Sequence, residues 1–119
     1  MSVFEQQFDL LSRLVSAADQ RQQVISHNIA NVNTPNYKRL ELDFEAELAQ
    51  EIRRGAGAAG SSATPVIRET AGLTTRADGN NVDIDQEIGQ LNKNALLQQV
   101  YLQLLGTEMS QMRRAMEGG

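Results

Sequence analysis

The stretch Ser26-His27-Asn28-Ile29-Ala30-Asn31-Val32-Asn33-Thr34-Pro35-Asn36-Tyr37-Lys38 decides how this chain folds, because it is where a long helical pattern has to stop and turn. Short polar side chains at a helix end satisfy the backbone groups left open there. Pro35 lacks an amide proton and disfavours helix at Thr34. Tyr37 then gives the departing chain an amphipathic anchor.

Upstream of this turn, Ser2 and Glu5 form an S-x-x-E capping box. Apolar residues then recur at Phe4, Phe8, Leu11, Val15, Ala18, Ile25, Ile29 and Val32, interrupted by Gln22, in alternating steps of four and three. At the other end Asp83 is placed to cap a helix that carries Asp85 and Glu87 in its first turn. Its stripe runs Ile84, Ile88, Leu91, Ala95, Gln98, Leu102, Leu105, Met109, Met112 and Met116, before Arg113-Arg114 and a glycine end. The pattern predicts a mainly α fold: residues 1–34 and 83–119 are two terminal helices paired as an antiparallel coiled coil. The expected register sets Phe8 against Met112, Leu11 against Met109, Val15 against Leu105, Ala18 against Leu102, Ile25 against Ala95 and Ile29 against Leu91. It also brings Gln22 and Gln98, the polar residue of each stripe, into one layer where the amides serve each other. Second partial stripes (Leu10, Leu14, Ala17 and Val24; Leu97, Tyr101 and Leu104) are expected to pack on neighbouring subunits.

The intervening segment, 35–82, carries a weaker pattern. Leu40, Leu42, Phe44, Leu48 and Ile52 suggest a short amphipathic helix before Gly55. Residues 55–64 are dominated by Gly, Ala and Ser and read as a flexible loop. Val66–Arg68 and Leu73–Thr75 read as short strands, and the Asp78-Gly79 turn would fold Leu73–Thr75 back on Val82–Ile84 as a small β-hairpin.

Composition narrows the function. The 119 residues are 4% aromatic with a mean hydropathy of −0.40, which supplies little for a thick core and points to elongated helix packing or to partners. The net charge is −4 and the basic residues are scattered as pairs, which argues against nucleic acid. No cysteine is present, so disulfides and thiolate sites are excluded. No stretch approaches the roughly 20 apolar residues of a membrane span, and the N-terminus does not read as an ordinary cleaved signal peptide. His27 stands without a carboxylate or nucleophile at useful helical spacing, so general-base chemistry is disfavoured. The acidic run from Asp78 to Glu87 places Val82 and Asp83 where an EF-hand loop needs a ligand and a glycine, and a turn followed by a cap explains it. The glycines at 55, 57 and 60 lack the Lys-Ser/Thr of a phosphate loop. No catalytic residue, cofactor, metal or small-molecule substrate is expected.

The motif N-x-A-N-x-x-T-P-x-Y-K, carried here by Asn28, Ala30, Asn31, Thr34, Pro35, Tyr37 and Lys38, resembles the signature of the flagellar axial proteins, the family of rod, hook and hook-associated subunits. Asn36 departs from the glycine often found at that place, but asparagine tolerates the left-handed conformation. The short chain and the run from Asp78 to Asp85 with Glu87 are most similar to a proximal rod subunit. The resemblance implies a structural subunit that transmits motor torque, exported by the flagellum's own type III apparatus into the periplasmic space. It also implies self-association in the rod and contacts with other rod subunits and the export-gate adaptor at the rod base. Another proximal rod subunit, or a coiled-coil adaptor or export chaperone, stands as the alternative.

Overall fold

The first apolar stripe becomes α1, Val3–Ala30, and the helix stops where the polar turn begins. The computed structural model describes residues 3–55 and 62–118, so Ser2 of the expected capping box and most of the Gly/Ala/Ser loop lie outside the described residues. After the turn come strand β1 (Leu40–Asp43), helix α2 (Glu45–Arg53), strand β2 (Val66–Glu69) and the long helix α3 (Ile84–Met116). The molecule is a rod in its own right, 65 × 28 × 14 Å.

α3 starts as its sequence requires. Asp83 is extended (φ −110°, ψ 114°), and its carboxylate accepts from the Asp85 and Gln86 amides at 3.0 and 3.3 Å. Arg113 and Arg114 occupy the last turn, and Gly118 follows with φ +81°.

The two helices pair antiparallel, in a register shifted by about five residues from the one the stripes suggest. Asn28 Nδ2 donates to Glu87 Oε2 at 3.3 Å, Arg21 Nη1 to Asn94 Oδ1 at 3.0 Å, and the Gln7 amide to the Glu108 carboxylate at 2.7 Å. Asn94 Nδ2 also donates to the Ala18 carbonyl at 2.8 Å, so Ala18 faces Asn94 and not Leu102. The inward seam of α3 is Glu87, Leu91, Asn94, Gln98, Tyr101, Leu105, Glu108 and Met112, with Glu87 and Asn94 fully buried and Glu108 buried. The helix has therefore turned by about 50° from the aliphatic expectation. Leu91, Gln98, Leu105 and Met112 stay half-buried, while Ile88, Leu102 (50% exposed), Met109 and Met116 face outward. The reason is polar satisfaction: Glu87, Asn94 and Tyr101 find bonding partners on other segments of the chain. No glutamine layer sets the register; Gln22 instead lies 3.5 Å from Asn94.

On α1 the stripe holds better. Ala18 and Ile25 are buried, and Leu11, Val15, Gln22 and Ile29 are half-buried, whereas Phe8 is exposed. The second stripe of α1 is covered within the chain, not kept for neighbours: Ala17 and Val24 form a core cluster with Leu42, Phe44, Leu48 and Ala63, and Leu10, Leu14 and Leu40 pack against it. Tyr101 of the other second stripe donates to Glu45 Oε2 of α2 at 3.2 Å, while Leu104 remains exposed.

The short amphipathic segment divides at Phe44. Leu40–Asp43 is extended, and only Glu45–Arg53 is helical. The small sheet is antiparallel, β1 with β2, pairing Leu42 with Ile67 and Leu40 with Glu69. Leu73–Thr75 and Val82–Ile84 do not form the expected hairpin; the Asp78-Gly79 turn is present, closed by Gly79 N–H on the Arg76 carbonyl at 2.9 Å. The chain after it is drawn into polar contacts with the α1 turn, described below.

The Arg21–Glu45 ion pair ties α1 to α2. Desolvation pushes the Glu45 carboxyl up, but the hydrogen bond and charge of Arg21, with smaller help from Tyr101, outweigh it and leave the pKa below the usual glutamate value. A carboxyl depressed on folding stabilises the fold above its unfolded pKa, ~4.3, and loses that contribution as the pH falls through the folded value. Glu45→Gln is therefore expected to lower the melting temperature at neutral pH and to flatten the acid limb, so that variant and wild-type profiles converge at low pH. An acid limb identical to wild type would remove this role.

Candidate functional site: the polar lock at the end of the first helix

The axial motif and the Asp78–Asp83 run meet at one corner of the molecule. Asn28, on the last turn of α1, is completely buried and uses all of its amide. Its Oδ1 accepts from the Tyr37 hydroxyl at 2.8 Å and the Leu40 amide at 2.9 Å, and its Nδ2 donates to the Leu40 carbonyl at 2.8 Å and to Glu87. The side chain thus behaves as a peptide group paired with the first residue of β1. Asn31 Nδ2 donates to the His27 carbonyl at 2.8 Å, and its Oδ1 accepts from the Thr34 hydroxyl at 3.0 Å, winding the turn. The Tyr37 ring stacks on His27 with centroids 5.6 Å apart and planes 20° from parallel. Burial and the Glu87 charge raise the Tyr37 pKa, against a smaller opposing effect of Arg39, so its hydroxyl remains a donor.

The second strand of the lock comes from the Asp78 turn. Asn80, also fully buried, donates to the carbonyls of Asn31 (2.9 Å) and Thr34 (2.8 Å), and its Oδ1 accepts from Val82 N–H at 2.7 Å. Asn36 N–H donates to the Asp78 carbonyl at 2.9 Å, Asn81 N–H to the Tyr37 carbonyl at 3.3 Å, and Arg39 N–H to Asn81 Oδ1 at 2.7 Å. Lys38 Nζ reaches the Gly79 carbonyl, and Arg76 bonds the carbonyls of Val32 and Val82. Asn36 stands at φ +64° and Gly79 at φ +83°, in direct opposition. A Cβ on Gly79 would run into the Asn36 amide, so glycine is required there and asparagine suffices at 36. Under the lock lies an ion pair: Arg39 Nε binds Glu87 Oε1, its Nη2 lies 3.4 Å from Oε2, and its Nη1 donates to Thr70 Oγ1 at 2.6 Å.

The structure thus brings together Asn28, Asn31, Thr34, Tyr37 and Lys38, while Ala30 and Pro35 stay exposed and shape the backbone. Sequence reading missed Asn80, Asn81, Arg39 and Glu87 as members. For Asn80, Asn81 and Glu87 the signal was present in the polar run beginning at Asp78, which was read as a turn, a cap and part of the family resemblance but not as a partner of the α1 turn. Asp78 Oδ1 is used by the Asn80 amide at 3.0 Å and Asp83 by the α3 cap, and among the described residues no acidic or histidine group is placed to hold a metal.

Two long helices locked at one corner by side chain to backbone bonds form a site that fixes the direction of the chain, the architecture of an elongated helix-packing protein. Residues 15–38, which contain the lock's first strand, match the family model described as flagella basal body rod protein. The chain is 33% identical to the flagellar basal body rod protein FlgB of Borrelia hermsii over 85% of this chain and 88% of that one. It is 32% identical to FlgB of Salmonella typhimurium over 84% and 85% of the two chains, and 29% identical to FlgB of Bacillus subtilis over 100% and 99%. The chain belongs to the FlgB family of flagellar basal body rod proteins. It is a structural subunit of the rod, located in the flagellar basal body and associating with other rod components. No described helix is long and apolar enough to cross a membrane.

Proposed function

We propose that this chain is a subunit of the proximal rod, held in the periplasmic space, where it carries torque mechanically and catalyses nothing. It reaches that place through the flagellar type III apparatus without a cleaved signal and contacts other rod subunits and the export-gate adaptor at the rod base. The motif residues Asn28, Ala30, Asn31, Thr34, Pro35, Tyr37 and Lys38 aim the chain, the α1–α3 seam holds the subunit together, and the outer face of α3 carries assembly. The observation that supports this is the aliphatic row Ile88, Ala95, Leu102, Met109 and Met116, one residue per heptad, lying outside the α1–α3 seam. Burying a large aliphatic side chain fully is worth about 1.5–3 kcal/mol, so covering this row by neighbouring helices stabilises an assembly without altering the monomer.

Leu102→Glu is expected to abolish rods and swimming while leaving helicity and melting temperature of the isolated chain near wild type. Motile cells with normal basal bodies would sink the role of this row. A chain absent from purified basal bodies and bound to an export client would mean an adaptor or chaperone instead.

A further inference from the structure

No Asp, Glu, Lys or Arg occurs between Arg21 and Lys38, and none between Lys93 and Glu108. Cores of protein interfaces are depleted of charge, and two such stretches on a chain that is 22% charged mark two surfaces. They differ in shape. On α3, Leu96 (65% exposed), Val100 and Leu104 stand four residues apart and form an exposed ridge. Beside the second half of α1 lies a groove of about 410 Å³, lined by Gln20, Gln23, Val24, His27, Leu40 and Ile67. Ile67 (54% exposed) is turned to the same face as its partner Leu42, toward α1, whereas its neighbour Arg68 pairs with Asp43 on the other face. None of the groove's lining residues comes from α3.

In the antiparallel register the ridge runs beside the first half of α1, so ridge and groove are offset along the molecule by roughly 13 Å at 1.5 Å per residue. A surface that meets a different surface of the next copy gives a heterologous contact, which repeats into a ring or an open helix rather than closing as a two-fold dimer. We propose that the Leu96–Val100–Leu104 ridge of one subunit seats in the Val24–Leu40–Ile67 groove of a second copy of this chain. The occupant is a second copy because the chain belongs to a family of rod subunits, the ridge is apolar, and the groove, lined by Val24, Leu40 and Ile67 with Gln20, Gln23 and His27, holds no Asp, Glu, Lys or Arg. This rests on the rod-subunit reading and specifies which surfaces meet.

The chain has no cysteine, so the test is clean. Cells producing both Ile67→Cys and Val100→Cys chains should yield, on mild oxidation of purified basal bodies, a reducible dimer that neither variant forms alone. A dimer from Val100→Cys alone would mean that α3 meets α3, and an adduct of either variant with a different protein would mean another occupant; both overturn the proposal. So does the lack of any dimer in basal bodies that contain both variants. Absence of the chain from basal bodies would instead overturn the rod-subunit reading itself. A charge pair gives a second readout: Ile67→Glu and Val100→Lys each reduce flagellation at least ~10-fold, and both in one chain restore most of it, since every contact then joins glutamate to lysine. A double variant no better than the worse single one counts against the contact.

Discussion

Replacing Arg39 by Ala is expected to destabilise the isolated chain by about 3–5 kcal/mol, a large share of the ~5–15 kcal/mol that holds a small domain together. The Glu87 side chain is 1% exposed, and its carboxylate is held by Arg39 and by one Asn28 amide bond at 3.3 Å. Without the guanidinium a buried charge keeps a single donor, and Thr70 loses its 2.6 Å bond as well. The pair itself is not the source of net stability, since desolving two ions offsets most of their attraction. Arg39→Met combined with Glu87→Leu should accordingly recover most of what Arg39→Ala loses. Urea melts followed by far-ultraviolet circular dichroism measure both. A loss under about 1 kcal/mol for Arg39→Ala, within the range of an exposed ion pair, would show that the pair is solvated in solution.

The second large effect belongs to Asn28. Its amide makes four bonds in a completely buried position, two of them to the backbone of Leu40. Alanine leaves the Leu40 N–H and carbonyl without partners inside the protein, at about 1–3 kcal/mol for each unsatisfied group, so a loss on the order of 3 kcal/mol is expected. Aspartate is nearly isosteric and should do worse than alanine. It cannot donate to the Leu40 carbonyl, and it sets a second carboxylate against Glu87. The ranking wild type, Ala, Asp is what thermal melts should return, with swimming lost in the same order. An Asp variant as stable as wild type would mean that Asn28 is not bonded in this way.

The elements themselves were legible in the residues. A four-three apolar rhythm requires a helix to bury its stripe, Thr34-Pro35 ends one helix, and Asp83 begins the other, so α1 and α3 follow from local chemistry alone. The turn residues Asn28, Asn31 and Thr34 were legible too, because helix ends create a local demand for short polar side chains. Register and facing were not. The stripe reading took the helices as an isolated pair and buried Leu102 and Met109, yet these lie outside while Glu87, Asn94 and Glu108 lie within. Partners from distant segments made the difference: Arg39 for Glu87, the Ala18 carbonyl for Asn94, Glu45 for Tyr101. The same holds for β1, whose partner is not the next extended segment across a tight turn but one reached only after α2. Hydrophobic periodicity is a property of one helix and is written in it. Whether a buried polar group is satisfied depends on groups far along the chain, and only the tertiary structure brings them together.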